Sequence, residues 1–206
     1  MLNIVFASRN EGKIGEVKTI LDGSGINLLS LNNYQNIPEI VEDGHTFFEN
    51  ALKKARTVSE LTGEAALADD SGLVVDALDG APGICSSRYS GENATDAGNI
   101  AKLLHELRDV PVGKRDAMFV CVLVLYYPGG NYLTFEGRWR GRVAHEPAGT
   151  DGFGYDPVFF IPERGLTAAQ LSPDIKNRIS HRALALKMLT DALAKGQVPE
   201  PVRKSC

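Results

Sequence analysis

The stretch Ala65–Gly72, AALADDSG, predicts a buried strand that ends in two carboxylates, a hydroxyl and a glycine. Two negative charges removed from water side by side destabilise a fold unless a cation offsets them. A hard divalent metal ion, which prefers oxygen ligands, is the simplest counter-charge. Consecutive strand side chains point to opposite faces, so we expect only one of Asp69 and Asp70 to face a site; the residues alone leave open which. The alternative is a plain turn, since Asp-Ser-Gly is ordinary turn chemistry.

The segments around this stretch predict an α/β fold. An apolar strand at the N-terminus is followed by a polar loop and a helix with Ile14, Val17 and Leu21 on one face. Thr46 predicts a helix N-cap, with Glu49 three residues later completing a capping box. Strand–helix units favour parallel pairing, whereas two long apolar segments joined at Pro128-Gly129-Gly130-Asn131 favour a hairpin. Together they predict a mixed sheet.

Composition limits the classes of function. The chain has 206 residues, 43% hydrophobic and 23% charged, and a net charge of −4, which argues against a protein that mainly holds long nucleic acid. We expect one domain over residues 1–195 and a polar tail over 196–206. An odd number of cysteines without CxxC predicts neither a disulfide framework nor a zinc site, and favours the cytoplasm. No apolar run approaches the roughly 18 residues of a membrane helix, and the first strand is too short for a signal peptide.

Cations stand at the start of two predicted helices, where helix dipoles favour anions. Lys13 lies in the first turn of the first helix, and His181 and Arg182 lie in the first turn of the last, with Lys176 upstream. A solvated surface is the alternative at either place, but two such placements favour phosphate binding. The sequence contains neither a P-loop nor GxGxxG, so the first loop would hold phosphate through local amides and Ser8, Asn10 and Lys13.

A glycine-rich loop at 149–157, GTDGFGYDP, combines glycines with aromatic and acidic residues. Glycine lets a backbone approach a ligand closely, and Phe153 or Tyr155 could stack on a planar base. Asp156 could accept a hydrogen bond from a ring N–H. The alternative is a packed turn whose aromatic side chains fill the edge of the core.

Seven segments, in order along the chain, resemble the inosine triphosphate pyrophosphatase family. They cover nearly the whole chain up to about residue 193, and Asp151 departs from the pattern because a glycine is expected there. The segments are 8–16, 46–51, 68–73, 80–84, 87–91, 152–157 and 180–182. The resemblance implies a long, mixed, twisted β-sheet with flanking helices that form two lobes around a central cleft. It also implies a homodimer.

The resemblance further implies Mg2+-dependent hydrolysis of ITP, dITP and XTP to the monophosphate and pyrophosphate, which keeps deaminated purines out of DNA and RNA. By position, Asp70 would be the catalytic acid and base as well as a metal ligand, and Glu42 a second metal ligand. The remaining matched residues would hold the substrate: Ser8, Arg9, Asn10, Glu11, Gly12, Lys13, Ser71, Phe153, Gly154, Tyr155, Asp156, Lys176, His181 and Arg182.

Two other functions remain open at this point. A pyrophosphatase for modified pyrimidine nucleotides would share the chemistry and differ in the base pocket. A nucleotide-binding module without turnover belongs to another class. Asp69 and Asp70 argue against that module, because a pure phosphate binder gains nothing from two carboxylates.

Overall fold

The computed structural model describes residues 2–34 and 37–197. The helices of this part of the chain are α1 (Glu11–Leu21), α2 (Phe47–Thr62), α3 (Asp96–Glu106), α4 (Pro173–Ile179) and α5 (His181–Ala194). The strands are β1 (Leu2–Phe6), β2 (Ile26–Ser30), β3 (Ala65–Val75), β4 (Asp116–Tyr126), β5 (Tyr132–Val143), β6 (Phe159–Ile161) and β7 (Leu166–Thr167). Short 3-10 turns connect several of them.

The strands form one sheet in the order β2-β1-β3-β4-β5-β6-β7. β1 pairs in parallel with β2 and with β3, whereas β6 pairs antiparallel with both β5 and β7. The predicted mixed sheet is therefore confirmed. β6 and β7 were not predicted, because strands of three and two residues are too short to show an alternating pattern.

The chain divides into two compact units, each with its own core. The first unit comprises residues 2–70, 121–137 and 184–197 of the described chain, and the second comprises 71–120 and 138–183. Aliphatic residues of β1, β3, β4, α1 and α5 form the core of the first unit, which also includes Cys121. The core of the second unit contains Trp139 and Phe159 among residues of β3, β4, β5 and α3.

β3 differs from the prediction that a strand ends at the paired acids. The strand runs through Asp69 and Asp70 and continues to Val75. Both carboxylates are buried, yet each lies against a cation or an amide, so neither forces the chain out of the sheet. Beyond them the buried Leu73 and Val75 extend the strand into the second core.

α2 begins where the sequence predicts, after Thr46, and ends at a glycine. The Thr46 hydroxyl accepts from the backbone N–H of Glu49, and Gly63 ends the helix in the left-handed conformation, with a φ of 73°. The Glu49 carboxylate bonds the N–H of His45, not that of Thr46, so the expected capping box is shifted by one residue. Leu61 is exposed, and the buried face of the helix carries the polar Asn50 and Lys54.

Across 2–34 and 37–197, no helix is both long enough and apolar enough to span a membrane. Most of the predicted polar tail, residues 198–206, lies outside the described chain.

Candidate active site

Buried charges gather in the first unit, where α1 and α2 meet β3. We call Glu42, Asp69, Asp70, Lys13 and Lys54 the carboxylate cluster. Asp69 is 1% exposed, and its Oδ2 lies 2.9 Å from Nζ of Lys13, on the first turn of α1. Nζ of Lys54 lies 2.6 Å from Oε1 of Glu42 and 3.8 Å from Oδ1 of Asp70. Three carboxylates thus share two ammonium groups.

Asp70 is oriented by the same helix that carries Lys54. Nδ2 of Asn50 donates to Oδ2 of Asp70 at 3.0 Å. Oδ1 of Asn50 in turn accepts from the backbone N–H of Gly44 at 2.8 Å, so the amide has a defined orientation. A Cβ at Gly44 would lie 2.7 Å from that amide oxygen, so a larger residue there would displace Asn50.

The electrostatics of the cluster make Asp70 a better base than an ordinary aspartate. Burial raises the pKa of Asp70, and the favourable charge of Lys54 only partly opposes this effect. For Lys54, burial by itself lowers the pKa, but attraction to Asp69, Asp70 and Glu42 outweighs it and the pKa is raised. Lys54 is therefore protonated at neutral pH, and Asp70 has a strengthened affinity for a proton.

The donor set fits a divalent cation that takes part of its coordination from elsewhere. Within the described ranges, no group of three or more acidic, histidine or cysteine side chains is placed to hold a metal ion. Glu42 and Asp70 nevertheless share one cation already, the ammonium of Lys54. Mg2+ is commonly held by one or two carboxylates together with water and phosphate oxygens. These two carboxylates therefore suit Mg2+ better than an ion that needs a complete protein cage.

The loop before α1 is ordered by its own hydrogen bonds. Oδ1 of Asn10 accepts from the N–H of Lys13 at 2.9 Å, and the Ser8 hydroxyl accepts from the N–H of Asn10 at 3.2 Å. Nη2 of Arg9 donates to the carbonyl of Ile37 at 2.8 Å. Glu11 and Gly12 form the first turn of α1. From the sequence, Ser8, Asn10 and Lys13 are predicted to bind a phosphate. In the structure, the Asn10 side chain caps α1 and the Lys13 ammonium forms an ion pair with Asp69.

In the second unit, the glycine-rich loop is organised around the buried Asp156. Its Oδ2 accepts from the backbone N–H of Phe153 at 2.9 Å and from Nζ of Lys176, on α4. A Cβ at Gly152, where φ is 78°, would lie 2.0 Å from the same Oδ2. Asp156, predicted to accept from a base, is thus engaged with the loop and with Lys176.

Two more contacts hold this loop. Oδ2 of Asp96, at the start of α3, accepts from the N–H of Gly154 at 2.7 Å. The Tyr155 hydroxyl donates to the carbonyl of Ser86 at 2.8 Å, and burial raises the pKa of Tyr155. With 4% of its surface exposed, Tyr155 packs in the core. Phe153 is the less buried of the two aromatic residues predicted to stack on a base.

Two other residues predicted in this unit, Lys176 and Arg182, lie near the Phe153 ring, and Ser71 and His181 contact other side chains of the unit. Nζ of Lys176 and Cζ of Arg182 lie 4.9 Å and 5.7 Å from the centre of the Phe153 ring. Nη2 of Arg182 donates to the Ser71 hydroxyl at 3.4 Å. The His181 ring stacks on Phe119 with centroids 4.7 Å apart. The structure therefore groups these predicted residues in the second unit: Ser71, Phe153, Lys176, His181 and Arg182. We call Gly152–Asp156, with Asp96, Lys176 and Arg182, the loop cluster.

Three contributing residues were not identified from the sequence. Asn50 and Lys54 lie four residues apart on the buried face of α2, among the apolar Ala51, Ala55 and Val58. Two polar side chains on an otherwise apolar helix face could have indicated a functional role. Asp96 looks like an ordinary acidic residue in the first turn of a helix, and its bond to Gly154 joins residues 58 positions apart. No local pattern reveals such a contact.

Comparison with known proteins finds close relatives over almost the entire chain. The model of the Ham1 family matches residues 4–192. A protein named dITP/XTP pyrophosphatase from Geobacter sulfurreducens is 54% identical over 193 residues, which are 94% of this chain and 97% of that protein. One of the same name from Shigella flexneri is 49% identical and covers 95% of this chain and 100% of its own length.

Solved structures agree with these relatives. A Ham1 protein from Coxiella burnetii superposes with a TM-score of 0.87 at 45% identity, over 95% of this chain and 100% of that one. The Ham1 protein of Staphylococcus aureus gives a TM-score of 0.84 at 40% identity, with the same coverage.

Proposed function

The chain belongs to the Ham1 family, and on that premise we propose that it hydrolyses deaminated purine nucleoside triphosphates, namely ITP, dITP and XTP, to the monophosphate and pyrophosphate. Three relatives that are 54%, 49% and 47% identical carry the name dITP/XTP pyrophosphatase and support this assignment. One structural observation supports the chemistry more than any other: the buried Asp70 has a raised pKa and shares a cation with Glu42.

In this proposal the carboxylate cluster performs the hydrolysis. Glu42 and Asp70 would hold Mg2+, which supplies charge neutralisation for the phosphate oxygens. Asp70 accepts a proton from a water molecule whose oxygen attacks the α-phosphorus. The bond from that phosphorus to the bridging oxygen breaks, and pyrophosphate leaves with the electron pair. Asn50 keeps the Asp70 carboxylate oriented during the proton transfer.

The loop cluster supports recognition of the purine. Hypoxanthine and xanthine carry a C6 carbonyl, which accepts a hydrogen bond, whereas adenine carries an amino group there, which donates. Arg182 is buried and has only donors, so it suits the carbonyl and opposes the amino group. A mismatch of this kind at a buried polar site can be worth about 10⁴-fold in kcat/KM. Phe153 offers a ring for stacking on the base.

A nucleotide panel tests this function. Purified protein is incubated with ITP, dITP, XTP, ATP, GTP, dUTP and a modified pyrimidine triphosphate, with Mg2+ or with EDTA, and pyrophosphate and free phosphate are measured separately. We expect pyrophosphate from the first three nucleotides, only with Mg2+. Preferential hydrolysis of the pyrimidine triphosphates would favour the other type of pyrophosphatase. Nucleotide binding without release of any product would favour the nucleotide-binding module without turnover.

The remaining expectations concern the assembly and its setting. We propose a homodimer that works as a single two-lobed domain over residues 1–195, supported by the resemblance of the seven motifs. The proposed setting is the cytoplasm, supported by the odd number of cysteines without CxxC. Light scattering coupled to gel filtration measures the mass in solution. A mass of one chain at micromolar concentration would contradict the dimer.

A further inference from the structure

We propose that Lys54 is an exchangeable counter-cation: its ammonium holds Glu42 and Asp70 together in the metal-free protein and gives way when a divalent cation binds. The proposal rests on the proposed function for the identity of the metal site. It concerns a residue that the sequence motifs do not single out. Its basis is the position of one ammonium group between the two proposed metal ligands.

The geometry places Lys54 where a metal ion would be coordinated. Nζ lies 2.6 Å from Oε1 of Glu42 and 3.8 Å from Oδ1 of Asp70, and the residue is 7% exposed. Mg2+ binds its oxygen ligands at about 2.0–2.1 Å, so an ion between Glu42 and Asp70 would stand where the ammonium now lies, and two cations this close repel each other. A metal ion shared by Glu42 and Asp70 therefore has to displace Lys54 from Glu42.

The parts of the cluster differ in how easily they can move. Asp70 lies within β3, and Asn50 fixes its Oδ2. Glu42 lies in a segment without helix or strand, and its side chain is partly exposed, at 32%. The exchange is therefore a shift of Glu42 and of the Lys54 ammonium around a fixed Asp70. Lys54 remains attracted to Asp69 afterwards, since this carboxylate also acts on its charge.

The charge of the cluster explains why a resident cation is needed. Glu42, Asp69 and Asp70 bring three negative charges, and Lys13 and Lys54 bring two positive ones. Without Lys54, an excess of two negative charges would remain around the buried Asp69 and Asp70, which destabilises the metal-free fold and strengthens attraction for a divalent ion. Lys54 thus lowers the affinity of the site for metal and in return stabilises the protein without metal.

The test compares Lys54→Met with its neighbour variant Lys53→Met. Lys53 lies on the same helix and pairs with Asp43 at 2.6 Å, but this pair is at the surface, with Asp43 66% exposed. Binding of Mn2+ is measured by electron paramagnetic resonance, and melting temperatures are measured in EDTA and in Mg2+. We expect Lys54→Met to bind Mn2+ about tenfold more tightly than wild type, which corresponds to removal of one repulsive charge. Lys54→Met should also melt at a lower temperature than wild type in EDTA, and Mg2+ should raise its melting temperature by more than that of wild type.

The control and the conservative variant complete the design. Lys53→Met should match wild type in all three readouts, and Lys54→Arg should keep the melting temperature in EDTA, because a cation remains. Should Lys54→Met fail to fold without metal, Lys54→Gln and refolding of Lys54→Met in Mg2+ provide the same comparison. Recovery of folded protein in Mg2+ alone supports the exchange.

Unchanged or weaker Mn2+ binding by Lys54→Met or Lys54→Gln would overturn the proposal, because Lys54 would then assist metal binding or play no part in it. If wild type shows Mg2+-dependent pyrophosphate release while these variants bind no more tightly, only the exchange fails. If wild type binds no Mn2+ and releases no pyrophosphate, the proposed function fails with it.

Discussion

The carboxylate cluster of the first unit and the loop cluster of the second balance buried charge in different ways. In the first, three carboxylates face two ammonium groups, and Lys54 is shared between Glu42 and Asp70. In the second, the carboxylates of Asp96 and Asp156 are matched in number by the cations of Lys176 and Arg182, and Asp156 accepts from both the Lys176 ammonium and a backbone N–H. Where carboxylates outnumber cationic side chains, as in the carboxylate cluster, the site can attract one more cation. Where the two are equal in number, as in the loop cluster, the ion pairs hold the backbone in one conformation.

This difference in charge balance suits the two clusters to different tasks. The carboxylate cluster is suited to bind and release a charged species, because its partners can be redistributed. The loop cluster is suited to hold a backbone, because glycine conformation, an N–H donor and an ion pair meet on one carboxylate. We therefore expect variants of the Asp70 carboxylate in the first cluster to change chemistry more than stability, and variants of the Asp156–Lys176 pair in the second to do the reverse.

Replacing Asp70 by Asn should give the largest effect. The amide can still accept from Asn50, but it neither takes a proton from water nor offers a charge to a metal, so we expect pyrophosphate release from ITP to fall by about 10³-fold or more. Circular dichroism should show an unchanged fold. Asp43→Asn, at the surface, is the matched control and should retain activity. Activity at the wild-type level in Asp70→Asn would refute its role.

Breaking the ion pair of the loop cluster should give the next largest effect, this time on stability. Lys176→Met leaves the Asp156 carboxylate buried beside an apolar side chain, and breaking a buried pair from one side costs about 3–5 kcal/mol. Urea unfolding measures the change. Lys187→Met removes the exposed pair with Asp191 at 2.9 Å and should leave stability unchanged. Equal stability of the two variants would show that the buried pair is not what stabilises the loop.

Loosening the loop without removing its carboxylate should give a smaller effect on binding. Asp96→Ala removes the acceptor for the N–H of Gly154, and we expect KM for ITP to rise about fivefold, for a lost bond of ~1 kcal/mol, with little change in kcat. Asp96→Asn keeps an oxygen acceptor and should recover most of the affinity. A fall in kcat with KM unchanged would place Asp96 outside base recognition.

The smallest effect is expected on the stability of the metal-free protein. Burial raises the pKa of Asp70, so the folded state binds this proton more tightly than the unfolded state. The ionised carboxylate therefore destabilises the fold at neutral pH, and this cost disappears as the pH falls through the folded-state pKa towards the ordinary value. In EDTA at neutral pH, Asp70→Asn should melt about 2 °C higher than wild type, and the difference should vanish in acid. A lower melting temperature at neutral pH would contradict this sign.

Local patterns in the sequence predicted much of the fold. Thr46 and Gly63 mark the ends of α2 because caps act within one turn, and the turn after β4 is encoded by adjacent glycines. The extent of β3 was not predictable in this way. Asp69 and Asp70 remain within the strand because Lys13 and Lys54, which are distant in sequence, offset their charge. The low strand propensity of aspartate therefore predicted the end of β3 too early.

The site shows the same limit. Resemblance of motifs indicated which residues to examine, and the structure groups Glu42 with Asp70 and Phe153 with Arg182. The ion-pair partners of the site residues were not predictable. Asp156 pairs with Lys176 and Asp69 pairs with Lys13, and both pairs join separate elements of the fold. Lys54 was not predictable for a related reason: lysines in a helix are usually solvated, and the sequence does not distinguish the buried Lys54 from the adjacent, surface-paired Lys53.

Under the proposed role of the loop cluster in base recognition, Gly152 limits how the choice of nucleobase can be redesigned. Any side chain at this position would collide with the carboxylate that organises the neighbouring backbone, since its first carbon would stand 2.0 Å from Oδ2 of Asp156. Libraries that randomise the whole segment would therefore consist mostly of misfolded clones. Diversity confined to Phe153, with the flanking glycine and aspartate kept, would explore new substrates while preserving the frame that presents them.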